Sequence, residues 1–160
     1  MMTPARREPT AEIIAAECAG WRALVDLLSA EQDALRAADT ATIESLSRRK
    51  GEHVSRLDAQ AREREALMRA RGLPINAQGL ELWFSLALAP AKAREFREEL
   101  ARHADLAKRL NRQNGALVAR LQRYVQGAFA ALALAAGAEL TYDGAGVARP
   151  VARRRASVAI

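Results

Sequence analysis

The longest regular apolar pattern lies in residues 91–136, which read AKAREFREELARHADLAKRLNRQNGALVARLQRYVQGAFAALALAA. Along this stretch the mainly apolar positions alternate between spacings of four and three, which is the repeat of one helical face. Because the repeat never slips, it predicts one helix about 69 Å long at the α-helical rise. The face comprises Phe96, Leu100, His103, Ala107, Leu110, Asn114, Leu117, Leu121, Tyr124, Ala128, Ala131 and Ala135.

Two shorter helical stripes precede it. The first follows Thr10, a suitable N-cap, and repeats every seven residues; the second follows Asp39. The second ends at Gly72, which suits a left-handed C-cap, and Pro74 prevents its continuation. Since only a few residues near Asp39 connect them, these helices, each about 45 Å long, should form an antiparallel hairpin. The first stripe contains Ile14, Trp21, Leu28 and Leu35.

A short apolar segment links this hairpin to the long helix. Asn76 can cap it, and Pro90 suits the first turn of the helix that follows. We expect this segment to be a short helix that crosses the bundle as a clip. Its apolar residues are Leu80, Leu82, Trp83, Phe84, Leu86 and Leu88.

The predicted fold class is therefore all-α: an antiparallel helical hairpin and a longer third helix form an elongated three-helix bundle or coiled coil. A chain of 160 residues has room for one such core. We expect a flexible N-terminal arm over residues 1–9, a bundle domain over 10–136 and a flexible tail over 137–160, with a turn at 140–144. The expected helices span about residues 10–38, 40–71, 77–88 and 91–136.

The net charge of +6 is spread over the chain. The arm contributes +1, the bundle +3 and the tail +2, and basic and acidic residues are mixed along the bundle. Nucleic-acid binding requires clustered basic residues on one face, so we expect no nucleic-acid partner. No run of eighteen apolar residues exists, and none follows Arg6 and Arg7, so we expect neither a membrane span nor a signal peptide. These features favour a cytoplasmic protein.

Catalytic and metal-binding patterns are missing from the sequence. Cys18 is the only cysteine, so no intramolecular disulfide is expected. His53 and His103 are the only histidines and lie on helix seams, where nothing completes a metal site. Lys50 and Arg64 also lie on a seam, where their stems can pack while their charged heads reach water. We expect no cofactor, no metal and no enzymatic activity.

The helix lengths differ in a way that bears on function. In an up-down-up arrangement the third helix should run out of neighbours near Leu121. Beyond that point it still carries apolar residues, and an uncovered apolar surface usually marks a partner site. The alternatives are that the clip helix folds over this surface or that two chains dimerise through it. The apolar residues concerned are Tyr124, Val125, Phe129, Leu132 and Leu134.

Two residues interrupt the long helix. Asn114 could set the register of the seam, as polar residues do in coiled coils. Gly115 costs about 1 kcal/mol relative to alanine in a helix interior, and close approach by a partner backbone would compensate for that cost. If Asn114 acts at a surface, Asn114→Leu should preserve or raise thermal stability and weaken partner binding. If it sets the register, the fold should suffer instead.

Several of these residues resemble the FlgN-type flagellar export chaperones, over roughly residues 14–147. The more specific part is an asparagine pair with glycine, followed 27 residues later by a tyrosine in a turn. In the hairpin the matching residues are Glu31-x-x-Ala34-Leu35, Asp39, Ile43-x-x-Leu46 and Lys50. Later in the chain they are Leu110-Asn111-x-x-Asn114-Gly115 and Thr141-Tyr142-Asp143-x-x-Gly146.

The resemblance implies a cytoplasmic chaperone that binds the C-terminal helical segments of the flagellar hook-associated proteins, which form the hook-filament junction. Such a chaperone prevents premature assembly and delivers its clients to the export-gate protein of the flagellar type III apparatus. For Tyr142 it implies docking on that gate protein; the alternative is a turn tyrosine that packs back on the bundle. The implied client surface comprises Asn111, Asn114, Gly115, Leu117, Val118 and Leu121, to which the apolar pattern adds Tyr124.

The main alternative function is a structural coiled-coil scaffold that associates with itself and has no client. Such a scaffold would cover its apolar end with a second copy, so the free protein would be a homodimer. Co-purification with the C-terminal segments of hook-associated proteins separates the two hypotheses.

Overall fold

A computed structural model describes residues 9–135, 139–142 and 148–151. Its helices are α1 (Pro9–Ala37), α2 (Thr40–Ala70), α3 (Ala77–Ala87) and α4 (Pro90–Ala135). Two short strands follow, β1 (Glu139–Tyr142) and β2 (Ala148–Val151). The all-α prediction is confirmed, and the helix bounds agree with the sequence pattern to within a few residues. Most of the predicted N-terminal arm lies outside the described residues.

The chain divides into two compact units, residues 1–114 and 115–160. The first unit contains α1, α2, α3 and the first part of α4. The second unit contains the remainder of α4 and the two strands.

The turn between α1 and α2 is built as the sequence suggested. Asp39 caps α2 and accepts hydrogen bonds from the Thr42 backbone N–H at 3.1 Å and from its hydroxyl at 2.6 Å. These bonds hold the pKa of Asp39 below its ordinary value. α1 ends in a Schellman motif, in which the Asp39 N–H donates to the Ala34 carbonyl at 3.0 Å and Ala38 takes a φ of 53°. Alanine therefore holds a left-handed position that usually belongs to glycine.

The end of α2 is a second Schellman motif with glycine in that position. Gly72 has a φ of 69°, and the Leu73 N–H donates to the Met68 carbonyl at 2.9 Å. Asn76 then caps α3 by accepting from the Gly79 N–H at 2.9 Å. A Cβ on Gly79 would lie 1.7 Å from the Pro74 carbonyl oxygen, so only glycine fits this close approach.

α3 closes one end of the first unit. Its Trp83 and Phe84 are fully buried and pack with Ile14 of α1, Met68 of α2 and Ala93 of α4. The predicted clip helix is therefore present, and it joins the first three helices to the start of α4.

A second core cluster lies further along the hairpin. It consists of buried residues from three helices: Leu24, Val25 and Leu28 of α1, Leu57 of α2 and Ala107 of α4. The two helices of the hairpin approach closely beside it, because a Cβ on Gly20 would lie 2.7 Å from the Leu57 side chain.

The two charged seam residues of α2 do not send their heads to water, contrary to the expectation from sequence. Lys50 Nζ donates to Glu31 Oε1 at 2.5 Å, and Arg64 pairs with Glu17. Both carboxylates belong to buried residues of α1. A buried carboxylate needs such a partner, since an uncompensated charge in the interior is expensive.

The two seam histidines are held by carbonyl groups of the chain itself. His53 Nε2 lies 2.7 Å from the Gly20 carbonyl oxygen, and His103 Nδ1 lies 2.8 Å from that of Glu99. They occupy different helices and each has a structural hydrogen-bond partner, which agrees with their interpretation as polar seam residues.

In the second unit, β1 and β2 form an antiparallel pair in which Glu139 faces Val151 and Tyr142 faces Ala148. Residues 140–142 are therefore strand and not turn as predicted, while residues 143 and 144 lie outside the described part. The local turn signals carried no information about a pairing partner, and Thr141 and Tyr142 are residue types that suit a strand.

Candidate protein-binding surface

In the first unit, α4 runs alongside α1 in the same direction. Cys18 Sγ contacts the Phe96 carbonyl oxygen at 3.8 Å, and Arg22 pairs with Glu99. Two turns and more further on, Gln32 Nε2 donates to Gln113 Oε1 at 3.0 Å. This register brings Asn114 level with the last turns of α1.

Asn114 is 2% exposed and its amide group is used inside the first unit. Nδ2 donates to the Leu28 carbonyl at 2.9 Å and to Glu31 Oε2 at 2.8 Å. Since Glu31 also pairs with Lys50, one polar network joins α1, α2 and α4.

This burial bears on the predicted role of Asn114. Its side chain faces the hairpin, so it is not open to a client, and the structure favours the register interpretation. Its companion Asn111 is exposed and lines a groove of the first unit. Glu31, Lys50 and Asn114 were quoted above as separate parts of one resemblance, and the structure places them in contact.

In the second unit, α4 carries large apolar side chains that remain open. Tyr124, Val125, Phe129, Leu132 and Leu134 are 60–76% exposed. These are the residues that the apolar pattern had placed beyond the end of the hairpin. α3 does not cover them, because its large side chains are buried in the first unit. The predicted alternative of a clip over this surface is therefore excluded.

The predicted site residues nearer the start of this unit are less exposed. Val118 is exposed, while Leu117 and Leu121 are half-buried. Val118, Leu121, Val125 and Leu132 follow Asn114 at spacings of four, seven, eleven and eighteen residues, which keeps them on one face of the helix. The face that holds Asn114 thus continues as an apolar stripe in the second unit.

The end of α4 has no charged side chain at all from Tyr124 to Ala135. Arg120 and Arg123 are the last charges before it, and both are exposed. A helix segment that is apolar around its circumference is normally covered by other structure. This segment is accordingly the strongest mark of a protein-binding surface in the second unit.

Gly115 is exposed, and a Cβ placed on it would meet nothing within 4 Å. The rest of the chain therefore supplies no packing reason for a glycine at this position. The prediction that a partner backbone approaches Gly115 remains open and fits this unoccupied space.

Tyr142 is the last residue of β1 and stands opposite Ala148. It is part of a strand pair and not of a turn, so the structure changes the context in which the predicted gate-docking tyrosine is presented.

The titratable groups offer no reactive arrangement in the described residues. Burial raises the pKa of the Cys18 thiol to about 11, with further contributions from the carboxylates of Glu99 and Glu17. Such a thiol is a poor nucleophile. In the part of the chain that the structure describes, no group of three His, Cys, Asp or Glu residues could hold a metal ion. Within the same residues, no helix is long and apolar enough to cross a membrane.

Sequence reasoning missed one feature, the groove that Asn111 lines in the first unit. Its other walls include Trp21, Val54 and Lys108. Trp21 had been assigned to the core stripe, and Val54 lies one residue beside the seam position His53. An off-stripe valine at the surface of α2 was the available signal, but it does not identify the helix across from it.

Comparison with protein families gives one match, to the family described as FlgN protein, over residues 2–150. No curated protein and no solved structure matches the chain at a significant level.

Proposed function

The chain belongs to the FlgN family of flagellar export chaperones, and on that premise we propose that it binds the C-terminal helical segments of the hook-associated proteins. In this proposal it acts in the cytoplasm, keeps these hook-filament junction subunits from assembling early, and delivers them to the export gate. The family is non-enzymatic in general, and the work proposed here requires binding alone.

The observation that carries the proposal is the open apolar end of α4. A client with an amphipathic helix can lay its apolar face on Leu132, Phe129 and Val125, as helices do in grooves and bundles. The client residues covered in this way would otherwise drive polymerisation. Leu117, Val118, Leu121 and Tyr124 extend the proposed surface toward Gly115, whose missing side chain leaves room for a partner backbone.

Asn111 and Asn114 take different parts in this proposal. Asn114 is a positioning residue, because its amide holds α4 against Leu28 and Glu31. Asn111 is exposed and available for a direct contact.

Client binding is tested with purified C-terminal segments of the hook-associated proteins by titration calorimetry. Leu132→Asp should weaken binding by at least tenfold, because it places a charge against an apolar client face; a tenfold loss corresponds to about 1.4 kcal/mol. Gln126→Asp is the matched control, since Gln126 is exposed on the same turns and lies off the apolar stripe. If neither segment binds the wild-type protein at micromolar concentration, the chaperone proposal is wrong.

Release of the client needs no chemistry, only a competing interaction at the gate. We assign docking on the export-gate protein to Tyr142. Tyr142→Ala should leave the affinity for the client segment unchanged and reduce export of the hook-associated proteins. Normal motility of a strain that carries this variant would count against the assignment.

The scaffold alternative draws on the same exposed residues, because a second copy could also cover them. It requires a homodimer in the absence of any client. Sedimentation of the free protein separates the two functions: a dimer that Leu132→Asp dissociates, together with no client binding, would favour the scaffold.

A further inference from the structure

An open groove in the first unit lies between α2 and α4, with α1 at its floor. It encloses about 520 Å³. Leu24 and Leu28 rise from α1, Val54 stands on α2, and Ala107 and Lys108 stand on α4. We call this cavity the open section.

A second cavity of about 480 Å³ continues in the direction of α3. Trp21 lines both cavities, so they are adjacent sections of one groove. On the α4 wall the groove extends from Leu100 to Asn111, which is about 17 Å and three helical turns at the α-helical rise. A groove of that length accommodates a short stretch of one further helix.

The chain's own α3 shows which kind of helix this groove accepts. At the far end of the second cavity, α3 presents Leu80 and Phe84, which are packed or buried against the other helices. Beside them, Glu81 of α3 forms an ion pair with Arg97 of α4. The end of the groove is thus filled by an amphipathic helix whose carboxylate reaches a basic residue on α4.

The open section repeats the same arrangement without a helix in it. Its lining contains no acidic residue, and its two charged residues are Lys50 and Lys108. Lys50 is already held by Glu31. Lys108 is exposed and forms no ion pair with any residue of the described chain. An occupant therefore needs an apolar face for the floor and one carboxylate for Lys108.

We propose that the open section seats a helix of the client that carries apolar residues three and four positions apart and an acidic residue that pairs with Lys108. The proposal rests on the proposed function and adds a second contact to the surface on the end of α4. It also makes Trp21 a part of the client site. With the client helix in place, α1, α2, α4 and the client would form a local four-helix bundle.

Affinity measurements with the purified C-terminal segments of the hook-associated proteins test the groove through two variants. Val54→Arg fills the open section and Lys108→Glu reverses its charge. Each should weaken binding by at least tenfold without lowering the unfolding temperature, because both residues are exposed. Ala59→Arg and Lys92→Glu are matched controls at exposed positions of α2 and α4 outside the groove lining, and they should bind as the wild type does.

A second readout reports the location of the client. The protein has two tryptophans, Trp21 in the groove and the fully buried Trp83. With 5-fluorotryptophan incorporated, the ¹⁹F resonance of Trp21 should shift on addition of the client segment and that of Trp83 should not. Trp21→Phe assigns the two signals.

The outcomes separate this inference from the proposed function. Binding to the wild type that survives both groove variants and leaves the Trp21 resonance unmoved overturns the groove proposal and leaves the chaperone function standing. No binding to the wild type overturns both. A dimer that Val54→Arg dissociates, with client affinity unchanged, would show that a second copy occupies the groove and would overturn the proposal.

Discussion

The side-chain amide of Asn114 donates a hydrogen bond to Glu31 Oε2 at 2.8 Å, and this contact ties α4 to α1. Glu31 is buried and its other oxygen accepts from Lys50 of α2 at 2.5 Å. The amide also reaches the Leu28 carbonyl, so one residue of α4 satisfies two buried acceptors. Three helices are thereby held in register at a single polar point.

Replacement of Asn114 by leucine should destabilise the protein, in contrast to the outcome expected for a surface role. The substitution leaves the Leu28 carbonyl and one oxygen of Glu31 without their donor, at a cost of about 1–3 kcal/mol. Urea denaturation measures the change. Asn111→Leu is the matched control, because Asn111 is exposed on the same helix and should change the free energy of unfolding little. An equal effect of both substitutions would contradict the register role.

Replacement of Ala38 by glycine should stabilise the protein by about 1 kcal/mol, because a left-handed conformation is unfavourable for any residue with a Cβ. Ala38 has a φ of 53° at the end of α1. Thermal or urea denaturation measures the gain. Gly72→Ala, at the corresponding position of α2, should shift stability by a similar amount in the opposite direction. A loss of stability in Ala38→Gly would show that the turn differs from the one described.

A side chain at residue 79 should displace α3 from the first unit. The Cβ of Gly79→Ala would clash with the Pro74 carbonyl oxygen, and that contact is with backbone that cannot rotate away. We expect a clear loss in unfolding temperature and increased fluorescence quenching of Trp83 by acrylamide. Gly51→Ala, where a Cβ meets nothing within 4 Å, should instead gain about 1 kcal/mol from helix propensity. Equal stabilities of the two variants would argue against the close approach.

The thiol of Cys18 should resist alkylation in the folded protein up to strongly alkaline pH. Its pKa is raised from 9.0 to about 11, chiefly by burial, so the reactive thiolate is scarce at pH 8. Because the unfolded thiol ionises first, the protein should lose stability as pH rises from about 9 through 11. Labelling by iodoacetamide with and without urea gives the comparison. Rapid labelling without urea at pH 8 would show that the thiol is open to solvent.

Alanine at position 115 should separate stability from binding. Gly115→Ala should raise the free energy of unfolding by about 1 kcal/mol, since the new methyl group meets no other atom of the chain. If a client backbone approaches this position, the same variant should bind the client segment more weakly. Because the variant is more stable, loss of binding could not be assigned to unfolding. Unchanged affinity would remove Gly115 from the client surface.

The helices and their ends were accessible from the sequence because they depend on local chemistry. The four-and-three repeat predicted α4, Asp39 and Asn76 predicted the caps that the structure contains, and Gly72 predicted the end of α2. The apolar end of α4 was also predicted, since it follows from comparing helix lengths. Each of these features depends on neighbours within a few residues along the chain.

Only the tertiary structure decided which side chains meet. Sequence spacing placed Lys50 and Asn114 on helix faces, but it could not show that both contact Glu31, 19 and 83 residues away. Ion pairs and grooves depend on the rotation and register of whole helices, which local patterns do not specify. The sequence by itself therefore determined the helices of this protein and the apolar end of the longest one. Packing decided that Asn114 is internal and that a groove lies open between α2 and α4.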